Sequence, residues 1–228
     1  NGAKSIVLDA PLASHVIVSA RLDDGGDEVA LFLVPTDAAG VSRNDYRTIG
    51  GMGASDVLLA DVRVASDALL GAPGQAKMLI PQVLDEATVA VCAEAVGILE
   101  RLVADTVDYS RQRRQFGKAI AEFQVLQHAM VDMHIAAEEA KAITLTATLA
   151  LDSSLEERQA MVSAAKVRVG RACRSVSQAA VQLHGGMGMT DELAIGHLFR
   201  RALMIETQFG GTEEHRRRFE RLMLDRAA

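Results

Sequence analysis

The sequence predicts an α+β protein in two parts: a partial antiparallel β-domain over residues 1–72, then an antiparallel bundle of long helices over residues 73–228. Three observations carry this expectation. Short β-branched runs separated by Asp-, Gly- and Ala-rich turns fill the first part. From about residue 75 the apolar residues recur instead at three- and four-residue intervals. Between the two patterns lies Pro81 to Ile120, which begins as small-residue helix and ends in Arg111, Arg113 and Arg114 followed by Phe116-Gly117. This stretch is both the joint between the architectures and the first concentrated positive charge, so an anionic ligand has its expected foothold there.

The elements follow in order. Residues 5–10, 15–22 and 28–35 read as strands, with Asp23-Asp24-Gly25-Gly26 as the turn between the second and third. A further pair, Tyr46 to Ile49 and Asp56 to Val64, flanks the Gly50-Gly51-Met52-Gly53 turn, and the set suggests an antiparallel sheet or partial barrel. Pro73-Gly74 introduces a first helix over about Gln75 to Arg113. A second covers about Ile120 to Leu151, with Phe123, Leu126, Met130, Met133 and Ala137 on one stripe. A third, about Leu155 to Leu183, has the stripe Met161, Ala165, Ala172, Val176, Ala180 and Leu183, and a surface expected to be basic through Lys166, Arg168, Arg171 and Arg174. The Gly185-Gly186-Met187-Gly188 turn ends it; shorter helices follow over about Leu193 to Thr207 and Thr212 to Arg226. Long helices joined by short turns pack as an antiparallel bundle. At the other end, Asn1-Gly2 is a turn dipeptide directly before a strand, as in mid-hairpin, which suggests a piece of a longer chain.

Composition narrows the class. With 49% hydrophobic and 24% charged residues the chain suits a soluble globular protein, and a net charge of −6 argues against nucleic acid or an anionic membrane surface as partner. The cysteines, Cys92 and Cys173, fall within apolar helical stretches without metal-type spacing, as expected of reduced core residues in a cytoplasmic protein. The histidines show no metal spacing either, and no apolar run approaches the roughly 18 to 20 residues of a membrane span.

Three stretches carry candidate chemistry. In Tyr109 to Gly117, the guanidinium of Arg113 or Arg114 suits a pyrophosphate, although basic residues in a last helical turn also complement the helix dipole. In Val181 to Gly188, the glycines permit close backbone approach and Gln182 offers an amide to a base or ribose; a helix cap and turn needs the same residues. In Gln208 to Glu214, Thr212 reads as an N-cap with Glu213 and Glu214 in the first helical turn, after a Gly-Gly bend that a ligand can approach.

In this order, after a β-domain, the three resemble the acyl-CoA dehydrogenase family over essentially the whole chain. Met52 to Val64, leading to Leu69-Leu70-Gly71, is similar to the family's exit from the sheet, with Ala65 where proline is usual. The family's RxxFG element is Arg113 to Gly117, its QLHGG element Gln182 to Gly186, and its GTxE element Gly211 to Glu214. The family fold has an N-terminal helical domain, a middle β-domain and a C-terminal four-helix bundle; this chain resembles the later part of the middle domain plus the bundle, with the N-terminal helical domain missing. The resemblance implies FAD at a dimer interface. Arg113 and Phe116 would contact its pyrophosphate and adenosine flank, and Gln182, Gly185 and Gly186 would reach the adenosine end from the neighbouring protomer. Thr212 and Glu214 would touch the cofactor near the catalytic loop, and Asp85 the pantetheine of a bound CoA. The implied partners are an acyl-CoA thioester, electron-transfer flavoprotein as acceptor, and further subunits in a homo- or hetero-oligomer such as a dimer of dimers.

Two departures qualify the resemblance. Removing a weakly acidic α-proton from a thioester requires a carboxylate within hydrogen-bond reach. Where most of the family places this Glu the chain has Gly210, and where a subset places it the chain has Ala87, with Thr88 in place of an arginine. Glu86 is one residue away, about 100° round the helix, and Glu206 is a weaker candidate. Cofactor elements with both base positions bare resemble the small or non-catalytic subunit of heteromeric bacterial acyl-CoA dehydrogenases, which act on pimeloyl-type dicarboxylyl-CoA or steroid side-chain CoA esters. The expected role is therefore a subunit completing shared FAD sites. The alternatives are a self-sufficient dehydrogenase, or a flavin monooxygenase or oxidase, using Glu86, and a scaffold that has lost FAD.

Overall fold

The computed structural model of the chain describes residues 1–22, 28–72 and 74–227, apart from the side chains of Arg226 and Ala227. The expected turn at Asp23-Asp24-Gly25-Gly26 and the expected role of Pro73 lie outside the described residues. By its contacts the chain divides into two compact units, Asn1–Val83 and Leu84–Ala228.

The first unit holds β1 (Gly2–Leu8), β2 (His15–Arg21), β3 (Val29–Pro35), β4 (Val41–Arg47), β5 (Gly53–Leu59) and β6 (Leu69–Leu70). They form two antiparallel three-stranded sheets, in the orders β1-β5-β4 and β2-β3-β6. Alternation decides which residues are inside: Val16 and Val18 of β2, Val34 of β3, and Val57 and Leu59 of β5 share one core with Ala10. The fourth and fifth strands begin earlier than the sequence suggests, at Val41 and Gly53 rather than Tyr46 and Asp56. The reason is that β4 (Val-Ser-Arg-Asn-Asp-Tyr-Arg) is an edge strand paired only to β5. An edge strand with most side chains in solvent has no apolar alternation to read. The turn between them is as expected: Gly51 takes φ +84, and its N–H donates to the Thr48 carbonyl at 2.9 Å.

The helical segments are α1 (Ala76–Gln112), whose first turns fall in the first unit, α2 (Gln124–Leu149), α3 (Leu155–His184), α4 (Ala194–Thr207) and α5 (Thr212–Ala227). A small hairpin, β7 (Arg114–Gln115) with β8 (Lys118–Ala119), joins α1 to α2. The Ser154 hydroxyl caps α3 by accepting from the Glu157 N–H, and Glu156 and Glu157 in the first turn complement the dipole. α3 packs against α2, α4 and α5 together. Its buried residues, including Ala165, Val169, Ala172, Val176 and Ala180, therefore extend round more than one face. The main core joins Val169, Ala172, Val176 and Ala180 to Leu99 and Leu102 of α1, Met133 and Ala137 of α2, and Ala202 and Ile205 of α4, while Ala165 belongs to a smaller cluster with Val89, Ala147 and Val162. Cys92 and Cys173 are free and lie in this core. Burial pushes both thiols up to about 12, which keeps them protonated and inert. Among the described residues no helix is long and apolar enough to cross a membrane.

Candidate functional site

At the end of α1 the Arg113 N–H still donates to the Tyr109 carbonyl at 2.8 Å, after which the chain enters the β7–β8 hairpin. Phe116 and Gly117 form its bend with φ +53 and +83, the pair of positive values a tight hairpin turn demands. Glycine adopts this without strain, but an aromatic residue does not. Phe116 is nonetheless placed there, 91% exposed and in a T-shaped arrangement with Phe123 at 6.2 Å between centroids.

Beside this bend lies a pocket of about 450 Å³ lined by Tyr109, Arg113, Gln182, His184, Gly185 and Gly186, among others. Its floor is rigid. Tyr109 and His184 stack at 4.3 Å, and His184 Nδ1 lies 2.8 Å from the Ala180 carbonyl. Gly185 ends α3 with φ +61, and a Cβ on Gly185 or Gly186 would meet nothing within 4 Å, so both present bare backbone to open space. Arg111 lies 4.0 Å from Asp108, whereas the exposed Arg113 has no side-chain partner among the described residues. Four residues expected at the cofactor thus lie together in one chain: Arg113, Gln182, Gly185 and Gly186. Both loops converge because Tyr109, on the last turn of α1, packs on His184, at the end of α3. A guanidinium, an amide and two open glycines fit the phosphates and adenosine of FAD.

Thr212 and Glu214 lie elsewhere, at the turn between α4 and α5. Gly210 there has φ +102, and a Cβ on it would come within 2.9 Å of His215 Nε2 and 3.2 Å of a Glu214 carboxylate oxygen. The position has no side chain and little room for one. His215 is buried; its Nε2 lies 2.9 Å from the Phe209 carbonyl, its Nδ1 has no hydrogen-bond partner among the described residues, and burial lowers its pKa. Thr212 opens α5 but is not the expected N-cap. Its hydroxyl donates to a Glu206 carboxylate oxygen at 3.1 Å and lies in the space a Cβ on Gly170 of α3 would fill, 2.3 Å away. Glu206 also faces Arg174 at 3.3 Å, so it is an ion-pair partner and not a poised base. The turn borders a pocket of about 320 Å³ lined by Gly170, Arg171, Arg174, Glu206, Thr212 and Glu213. Glu214 lines another, of about 700 Å³, with Arg217, Glu220, Arg221 and Leu224.

The sequence reading missed Lys166. Expected on a basic surface with Arg168, Arg171 and Arg174, it is 0% exposed, and its ammonium donates to the Gly210 carbonyl at 2.6 Å and the Glu206 carbonyl at 3.0 Å. Burial lowers its pKa. Its neighbour Ala165 belongs to the apolar stripe, and a helix covered on several sides buries both; that was the available signal.

On α1, Asp85, expected at the pantetheine, is 0% exposed. One carboxylate oxygen accepts from Arg218 of α5 at 2.7 Å, and the other lies 3.5 Å from Arg158 of α3. Glu86 is exposed, and Ala87 is partly buried with no polar group to offer.

An antiparallel β unit followed by a bundle with these loops is the architecture of flavoprotein acyl-CoA dehydrogenases. Residues 79–224 match the family described as acyl-CoA dehydrogenase, C-terminal domain. The chain belongs to the acyl-CoA dehydrogenase family. It is 31% identical over 222 residues to the probable acyl-CoA dehydrogenase YngJ of Bacillus subtilis, covering 95% of this chain and 58% of that one. It is 28% identical over 205 residues to the caffeyl-CoA reductase-Etf complex subunit CarC of Acetobacterium woodii, covering 88% and 54%. The butyryl-CoA dehydrogenase of Megasphaera elsdenii superposes with a TM-score of 0.89 at 26% identity, over 98% of this chain and 60% of that one. The chain spans little more than half the length of the relatives it matches.

Proposed function

We propose that this chain is part of a flavin-dependent acyl-CoA dehydrogenase subunit that completes shared FAD sites in a heteromer without supplying the catalytic base. The observation that carries this reading is Gly210: the base position has no side chain, a positive φ, and His215 and Glu214 against the space a side chain would enter. At the same time the pocket at the end of α1 keeps open glycines and Arg113, which has no side-chain partner among the described residues. FAD, when bound, supplies the acceptor for the β-hydride of an acyl-CoA.

Arg113 would neutralise the pyrophosphate, Phe116 would cover the adenosine flank, and Gln182, Gly185 and Gly186 would meet the adenosine end. Thr212 and Glu214 line separate cavities from that pocket. A cofactor touching both sets is therefore best shared between this chain and a second subunit, which also supplies the carboxylate for the α-proton. Asp85 would hold α1, α3 and α5 together. The name of CarC, a subunit of a caffeyl-CoA reductase-Etf complex, supports an electron-transfer flavoprotein as the electron partner. No observation favours Glu86 as a substitute base.

The test is turnover of the full-length protein, purified alone and reconstituted with FAD, with a panel of acyl-CoA thioesters and a dye acceptor. Background rates are expected, rising when the partner subunit is added; robust turnover by the pure homomer would contradict the proposal.

A further inference from the structure

The turn from Glu206 to Thr212 is held from inside the bundle. Phe209 and Gly210 both have positive φ, at +57 and +102, and three carbonyls in this stretch are taken by buried side chains from other elements. Lys166 of α3 binds those of Glu206 and Gly210, and the His215 ring of α5 lies against that of Phe209. Among the described residues Lys166 has no carboxylate within ion-pair distance; its partners are backbone carbonyls, one of them in the last turn of α4, where the helix dipole is negative. A buried ammonium with no carboxylate in direct contact is a poor way to stabilise a core, since an apolar side chain of the same length avoids its desolvation. What the ammonium does that methionine cannot is bind two carbonyls four residues apart and fix the path between them.

We propose that Lys166 is a positioning residue: its ammonium sets the Glu206–Thr212 turn and thereby the placement of Gly211, Thr212 and Glu214 against the cofactor. The second clause rests on the reading of that turn as a cofactor contact. Thr212 has no freedom of its own to correct a displaced turn, because its hydroxyl is packed against Gly170 and bound to Glu206.

The experiment compares full-length Lys166→Met with wild type by thermal unfolding, amide hydrogen exchange at residues 208–212, and FAD titration followed by the flavin absorption band. Positioning predicts a melting temperature equal to or above wild type, with exchange at 208–212 about tenfold faster or more, the effect of losing charge-assisted hydrogen bonds. FAD affinity should fall in parallel. A well-folded Lys166→Met whose 208–212 amides exchange as in wild type would overturn the proposal. Faster exchange with unchanged FAD affinity would leave the positioning role standing and remove the turn from the cofactor site. If Lys166→Met does not fold, the wild-type Lys166 Nζ resonance decides: couplings to the Glu206 and Gly210 carbonyls support the role, and a rapidly exchanging, uncoupled ammonium refutes it.

Discussion

Arg111 and Arg113 are two residues apart but differ in what they face. Arg111 faces Asp108, whereas Arg113 lines the pocket with no side-chain partner among the described residues. Arg113→Ala should therefore weaken FAD binding about tenfold or more, as expected for losing a charge-assisted contact of roughly 1.5–3 kcal/mol, while Arg111→Ala leaves it near wild type. Equal flavin content in the two purified variants would refute the assignment. His215 makes a second prediction, about pH. Burial holds its pKa below the ordinary 6.5, so as pH falls the unfolded chain takes up the proton first. Stability is then lost through the window from about 6.5 down to the folded-state value, and none of this term is lost above it. Urea unfolding at pH 7.5 and at pH 5.5 should show that loss, and His215→Gln should reduce it; an identical pH dependence in the variant would show that His215 is not its source.

At the scale of elements, α3 determines most of what the site can be. Gly170 sits mid-helix, where alanine is favoured by about 1 kcal/mol from propensity alone. A Cβ there would approach the Thr212 hydroxyl to 2.3 Å. Overpacking of this kind costs typically 1–3 kcal/mol, so Gly170→Ala should lower the melting temperature and loosen the start of α5. A raised melting temperature would mean that helix propensity wins and the α3–α5 contact is soft. The same helix shows what could be read beforehand and what could not. Its span and its Gly185 end were legible, because periodicity and a glycine-rich stop are local signals. Lys166 was misplaced because burial on a second face depends on α4 and α5 closing over α3, and nothing local reports that. Thr212 was misread for a related reason: an N-cap and a side-chain donor to Glu206 look alike until Gly170 brings α3 close. Edge strand β4 failed in the opposite way, being ordered by pairing with β5 while its polar side chains carry no strand pattern.

At the scale of the whole molecule, the loops that carry RxxFG, QLHGG and GTxE were legible because those elements are sequence-local. Their spatial grouping was not. Arg113 and Gln182 meet in one pocket through the Tyr109–His184 stack, while Thr212 and Glu214 open elsewhere. Under the proposed function, this arrangement contributes to a flavin site that a second subunit finishes, and with Gly210 bare the protein should hold cofactor without moving the substrate's α-proton. Proton exchange isolates that claim from hydride transfer. The full-length protein, loaded with FAD, is incubated in D2O with acyl-CoA thioesters, alone and with the partner that co-purifies with it, and α-deuterium is counted by mass spectrometry. The expected result is incorporation at the buffer rate by this protein alone and rapid incorporation by the complex; rapid α-deuteration by this protein alone would contradict it.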